Sequence, residues 1–257
     1  MLTDQQRDRV CITLVRARNP QNIGAVARAM HDFGLTRLRV VNEFTPPFEA
    51  ARSAVDASAV LANAVAFPTL AEAIADCTLV VGTTAVGERD LQHQLLPLAQ
   101  AAPELRSELS QDSARIALLF GSEKTGLSNE ELSHCHWLLT IPMHPHPGLR
   151  HASMNLGQAV AVCLYELVRD PGPQSSDDVA GAPEPRANAA ELERLTTLFH
   201  ELLDRTEYTR HHPANSDLPH LRRLVLRLAA DATDAAVWMG ILRQALSKLR
   251  AVAAEGK

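Results

Sequence analysis

An α/β fold is predicted: a parallel sheet with helices on both faces, then a linker and a small all-helical extension. Three observations predict it. Short apolar, β-branched runs alternate with segments of helical period throughout residues 10–168. Several of those runs end in small polar or glycine-containing turns, the places where open α/β sheets bind ligands. From Pro171 the composition changes to Pro, Gly, Ser, Asp and Ala, and only helical patterns follow 190. The predicted division is an α/β domain over 1–170, a linker over 171–190 and a helical extension over 191–257.

Each element has its own signal. Residues 10–15, Val-Cys-Ile-Thr-Leu-Val, read as a strand. A polar loop over 16–22 follows, then a helix opening near Asn22 and closing at Phe33-Gly34, glycine suiting the position after a helix end. Ile23, Val26, Ala27, Met30 and Phe33 form its apolar face, while Gly24, Arg28 and His31 share another ridge. A second strand is expected over 38–42, helices over 49–62 and 69–76, and a strand over 78–84. Residues 95–109 predict a helix interrupted around Pro97 and Pro103. A strand over 116–120 ends at Gly121, and Ser128 with Glu131 makes a capping box for a short helix to 135. The run 137–143 predicts a strand and 153–168 a helix. The extension predicts helices over 191–204, 218–230 and 234–252.

The chain has 257 residues, 46% of them hydrophobic, and a formal net charge of −5. That charge argues against coating nucleic acid by bulk electrostatics, but local charge governs steering. Residues 9–52 carry seven arginines against Asp32, Glu43 and Glu49, so a basic patch is expected there. No apolar run approaches the roughly 18 residues that cross a membrane. Residues 1–9 are polar and lack a secretory apolar core, which predicts a cytoplasmic protein. Cys11, Cys77, Cys135 and Cys163 form no C-x-x-C pair and are expected as buried free thiols.

Gly121-Ser-Glu-Lys-Thr-Gly-Leu-Ser128 invites a phosphate-loop reading, which requires lysine directly after the second glycine. Leu127 stands there and Lys124 comes too early. No G-x-G-x-x-G follows the first strand, which removes a dinucleotide fingerprint, and no G-x-S-x-G elbow supports a serine hydrolase. His134, Cys135, His136, His144, His146 and His151 match no zinc spacing, so they are read as loop histidines and no metal is expected. Asn19-Pro-Gln-Asn-Ile-Gly-Ala-Val-Ala-Arg28 places an arginine on a helix one turn after glycine, beyond a strand end. Its planar fork suits phosphate, although a solvated face remains open on these residues alone.

Taken in order, three segments resemble the SPOUT superfamily, and within it the SpoU-like, TrmJ-type ribose 2′-O-methyltransferases of tRNA. They are Asn19…Asn22-Ile-Gly-Ala-Val-Ala-Arg28, Leu118–Ser128, and Ile141-Pro-Met…Ser153-Met-Asn-Leu-Gly-Gln-Ala-Val…Leu164-Tyr-Glu166. The resemblance implies a sheet with a C-terminal trefoil knot, which priors on chain topology oppose, S-adenosyl-L-methionine as cofactor, tRNA as substrate and a homodimer. It implies cofactor contacts at Thr83, Thr84, Ala85, Gly121, Ile141, Ala152, Ser153 and Met154. It implies Arg28 and Ser153 as the functional arginine and serine, supported by Asn22, Glu123 and Asn155. The implied product is a 2′-O-methylated pyrimidine at position 32, the first nucleotide of the anticodon loop. The same chemistry on ribosomal RNA, or a non-catalytic RNA-binding module of the same fold, are the alternatives. A guanidinium keeps its proton at physiological pH, so the arginine is expected to clamp phosphate rather than act as base. Two features depart from the family pattern: a longer loop from Ile141 to Ser153, and Ser153-Met154-Asn155 for the commoner Ser-Leu-Asn, a volume-conserving exchange. In the extension, Arg222, Arg223, Arg227, Arg243, Lys248 and Arg250 are expected to hold tRNA or the dimer.

Overall fold

The computed structural model describes residues 1–42, 57–85, 92–144, 154–169 and 185–255. Its sheet has seven parallel strands: β1 (Val10–Val15), β2 (Arg37–Val41), β3 (Val65–Phe67), β4 (Leu79–Thr83), β5 (Leu95–Pro97), β6 (Ile116–Phe120) and β7 (Trp137–Thr140). Their spatial order is β3-β2-β1-β6-β4-β7-β5. The chain builds one half outward from β1, crosses to β4, and later inserts β6 between β1 and β4 and β7 between β4 and β5. Register aligns Leu14 with Phe120, Gly82 with Leu119 and Thr83 with Leu139. The carboxyl ends of β1, β6, β4 and β7 therefore lie side by side, at the reversal of strand order where such sheets form their crevice.

Helices α1 (Asp4–Arg7), α2 (Pro20–Asp32), α3 (Ser58–Ala62), α4 (Leu70–Ile74), α5 (Leu98–Glu108), α6 (Asn129–Leu132) and α7 (Leu156–Val168) cover the sheet. Alternate strand residues face opposite layers. Ile12, Leu14, Leu118 and Phe120 pack with α2, α5 and α7, while Cys11, Val15, Ala117 and Leu119 pack with α4 and α6. Parallel strands buried on both faces read as unbroken apolar runs, which is why the central ones were evident.

Several boundaries differ from expectation. Asn19, not Asn22, caps α2, accepting from the Gln21 N–H at 2.9 Å, with Pro20 at the first helical position. Proline there has no unsatisfied N–H. Residues 95–97 form an edge strand, so the break at Pro97 is a strand-to-helix boundary. Pro103 lies inside α5 without ending it, since Leu98, Ala101, Ala102 and Leu105 are buried together. The seventh strand stops at Thr140, before Pro142. Helix α7 opens at Leu156 with Asn155 as its cap rather than at Ser153. Of the helix expected over 49–62, only 57–62 is described, and 58–62 of it is helical. All four cysteines are free and buried.

Beyond 185 the chain forms α8 (Ala189–Arg205), α9 (Tyr208–His211), α10 (Leu218–Arg227) and α11 (Ala232–Glu255). Leu192, Leu195, Val225, Met239 and Leu242 give this helical part its own core. It also docks on the sheet domain. The N–H groups of Ala189 and Ala190 donate to the carbonyls of Cys77 (2.8 Å) and Ala75 (3.0 Å), and Arg186 pairs with buried Glu108 at 3.2 Å.

Candidate active site

Three elements bring polar side chains together where the strand ends meet. Asn22 lies in the first turn of α2, and because Asn19 supplies the cap, its side chain is available to the site. Its amide donates to Glu123 Oε1 at 2.9 Å, and the Asn155 amide donates to Asn22 Oδ1 at 3.1 Å. Asn155 Oδ1 also accepts from the Gly157 N–H at 3.0 Å, which fixes the side chain as the cap of α7. Close helix packing makes this meeting feasible. A Cβ on Gly157 would lie 2.6 Å from the Ala25 Cβ, so only glycine lets α2 and α7 approach this closely. Arg28 projects from α2, half exposed, 3.7 Å from Asp32 one turn on. An exposed i,i+4 pair contributes only about 0.3–0.5 kcal/mol, so it does not bar Arg28 from a phosphate.

The loop after β6 folds back on itself. A Cβ on Gly121 would fall 2.1 Å from the Gly126 carbonyl carbon and 2.2 Å from the Leu127 nitrogen, both backbone atoms. The same loop is tied to the end of β1 by Arg16. Its guanidinium forks onto Glu131 at 2.6 and 2.9 Å and donates to the Gly126 carbonyl at 2.9 Å. Arg16 itself has φ 57°, a left-handed conformation that costs a non-glycine residue about 1–2 kcal/mol. Burial opposes the charge on Glu131, but the hydrogen bonds from Arg16 and Ser128 outweigh burial and hold its carboxyl below the ordinary range.

The cofactor candidates Thr83, Thr84, Ala85, Gly121 and Ile141 fall on the carboxyl ends of the adjacent strands β6, β4 and β7, and Met154 precedes α7. Thr83 is the last residue of β4 rather than following it. Its hydroxyl donates to the Leu119 carbonyl at 2.9 Å, so it braces the strand end. The Thr84 N–H donates to the Leu139 carbonyl at 3.0 Å. Ala152 and Ser153 lie outside the described residues, as do His146 and His151.

The basic stretch is largely committed to structure. Arg37 pairs with Asp8, Arg39 is buried on Asp76, and Arg9 donates to the carbonyls of Leu109 and Gln111. The histidines divide as well. His144 is exposed, but His134 and His136 are packed rather than looped into solvent. The His136 Nδ1 accepts from the Val80 N–H at 3.1 Å, and burial pushes its pKa down to about 4. Burial beside Arg222 does the same to His134, also to about 4. Among the described residues no group of three His, Cys, Asp or Glu could hold a metal ion.

Residues 9–165 match the SpoU rRNA Methylase family model. The chain belongs to that family. Within the SpoU family it is similar to a tRNA (cytidine/uridine-2′-O-)-methyltransferase TrmJ from Yersinia enterocolitica, 34% identical over 90% of this chain and 89% of that one. A protein of the same description from Salmonella typhimurium is 35% identical over 90% and 93%. The crystal structure of TrmJ from Z. mobilis ZM4 superposes with a TM-score of 0.75 at 31% identity, covering 91% of this chain and 97% of that one. The family match ends before the helical part, whereas these relatives run through it. Motif reading found Asn22, Glu123 and Asn155, which the structure joins. It missed Arg16 as a tie to the loop, although the capping box at Ser128 and Glu131 had marked one end of that contact.

Proposed function

We propose that this chain is an S-adenosyl-L-methionine-dependent methyltransferase acting on a tRNA ribose 2′-hydroxyl, that of the pyrimidine at position 32. The observation that carries the proposal is the Asn155–Asn22–Glu123 chain of hydrogen bonds, which joins α7, α2 and the loop after β6 at the sheet crevice. The named relatives, similar over nine-tenths of the chain, supply the substrate class. The α/β domain, 1–170, would perform the chemistry; the helical extension, expected over 191–257 after a linker over 171–190, opens two residues earlier, at Ala189.

The strand ends fit the cofactor by their chemistry. Thr84, Ala85 and Gly121 offer backbone groups and small side chains to an adenine edge, and partly exposed Ile141 and Met154 offer apolar surface to a thioether. Ala152 and Ser153 join this set by motif. Bound there, the cofactor supplies an electrophilic methyl whose leaving thioether is neutral and needs no acid. What remains for the protein is alignment and removal of the hydroxyl proton. Arg28 clamps the neighbouring phosphate and stabilises charge developing on the ribose oxygen. Asn22 and Asn155 hold Glu123 in one orientation, and Ser153 adds a hydroxyl at the ribose. The proton leaves to a phosphate oxygen or water, since a guanidinium cannot accept it.

The active form is a homodimer in the cytoplasm. Tyr165, 57% exposed on α7 and in edge contact with Phe33, supports a partner on that face. No helix among the described residues is long and apolar enough to cross a membrane. Labelled methyl transfer to unmodified tRNA, with ribosomal RNA in parallel, tests the proposal. Arg28→Ala should lower the rate about a hundredfold, the effect of removing one donor from a developing anion. A rate equal to wild type contradicts the role given to Arg28.

A further inference from the structure

Arg222 and Arg223 of α10, expected to hold tRNA or the dimer, engage partners within the chain instead. The Arg222 side chain is only 10% exposed. Its fork lies on Glu193 of α8 at 2.8 and 3.0 Å, and it also reaches Glu130 and, at 3.4 Å, the Ser133 hydroxyl. Glu130 belongs to α6, the short helix that ends the Gly121–Ser128 loop. The next residue, Glu131, is the one gripped by Arg16. Helix α6 is thus held from both sides, by the end of β1 through Glu131 and by α10 through Glu130.

Arg223 reaches α6 by a second route. It donates to the carbonyl of Gln92, on the same β4-to-β5 connection as Thr84 and Ala85. The neighbouring His93 Nε2 bonds the Leu132 carbonyl of α6 at 2.8 Å, closing the circle. Adjacent arginines therefore converge on α6, Arg222 directly through Glu130 and Arg223 by way of Gln92 and His93, and α6 closes the 121–128 loop. Solvated-face arginines would show neither the burial nor the convergent partners.

We infer that Arg222 and Arg223 are positioning residues for the cofactor crevice, through which the C-terminal helices seat α6 and the 121–128 loop. The inference rests on the function proposed above and deepens it. It makes the helical part a brace for cofactor binding, independent of any hold on RNA. Removing a brace shifts the balance between seated and unseated loops, and such couplings change affinity by about two- to thirtyfold.

Calorimetry with S-adenosyl-L-methionine, alongside tRNA binding by filter retention, tests it on the full chain. Arg223→Ala and Arg222→Lys should each weaken cofactor binding about tenfold, with tRNA affinity changed less than about twofold. Arg223→Lys, which keeps a donor within reach of Gln92, should restore cofactor binding. If Arg222→Lys does not fold, Arg223→Ala decides alone, because it removes the hydrogen bond to Gln92 from a partly exposed side chain. Variants that bind the cofactor like wild type overturn the inference, as do variants that lose tRNA and keep the cofactor. Wild-type protein that binds no S-adenosyl-L-methionine overturns the functional reading itself, a result distinct from either.

Discussion

Gly121 and Gly126 bracket one loop but are required for different reasons. At Gly121 the missing atom is steric: a Cβ would lie within 2.1–2.5 Å of three backbone atoms of Gly126 and Leu127, which have no rotamer to escape by. At Gly126 there is open space, and the requirement is a φ of +66°. Gly121→Ala should destabilise the protein by about 1–3 kcal/mol and abolish cofactor binding by lifting the loop. Gly126→Ala should cost about 1–2 kcal/mol of backbone strain and leave binding measurable. Urea unfolding and calorimetry on the two variants check this, and equal effects would contradict it. At this scale the sequence was legible wherever a motif had a fixed order. Asn22, Glu123 and Asn155 were named in advance, but the bonds joining them depend on helix approach, which no spacing encodes. Asn22 has the residue type of a cap, but Pro20 marks the first helical position and Asn19 is the cap. With Asn19 in that place, Asn22 is available to the site.

Helices α2 and α7 form the element pair on which the site depends, because Asn22 rides on one and Asn155 caps the other. Their separation is set where Gly157 meets Ala25. Gly157→Ala should push the helices apart, lengthen the 3.1 Å Asn155–Asn22 bond and reduce methyl transfer, although residue 157 touches no substrate. Adding Ala25→Gly should recover most of the activity, less about 1 kcal/mol of stability for glycine in a helix. A single variant as active as wild type, or a double variant no better than the single, would contradict this. The central strands and long helices were legible because their apolar periods extend over enough residues. β3 and β5 were not, being three-residue edge strands too short for a period to register. Helix α1 is legible only from its capping box, Thr3 with Gln6, since its four residues are too few for an apolar period.

For the molecule as a whole, charge and histidine counts were weak guides, because both depend on partners distant in sequence. Arg16, Arg37, Arg39, Arg222 and Arg250 all engage carboxylates within the chain. His134 and His136 were read as loop residues because nothing local indicates that the C-terminal helices pack nearby. What the whole fold does is align four strand ends, and every role proposed for the site follows from that alignment. Its central consequence is methyl transfer to one ribose oxygen. The most direct measurement compares labelled methyl incorporation into unmodified tRNA and into the same tRNA with a single 2′-deoxy pyrimidine at position 32. Incorporation into the first and none into the second is the predicted result; equal incorporation into both would contradict the account.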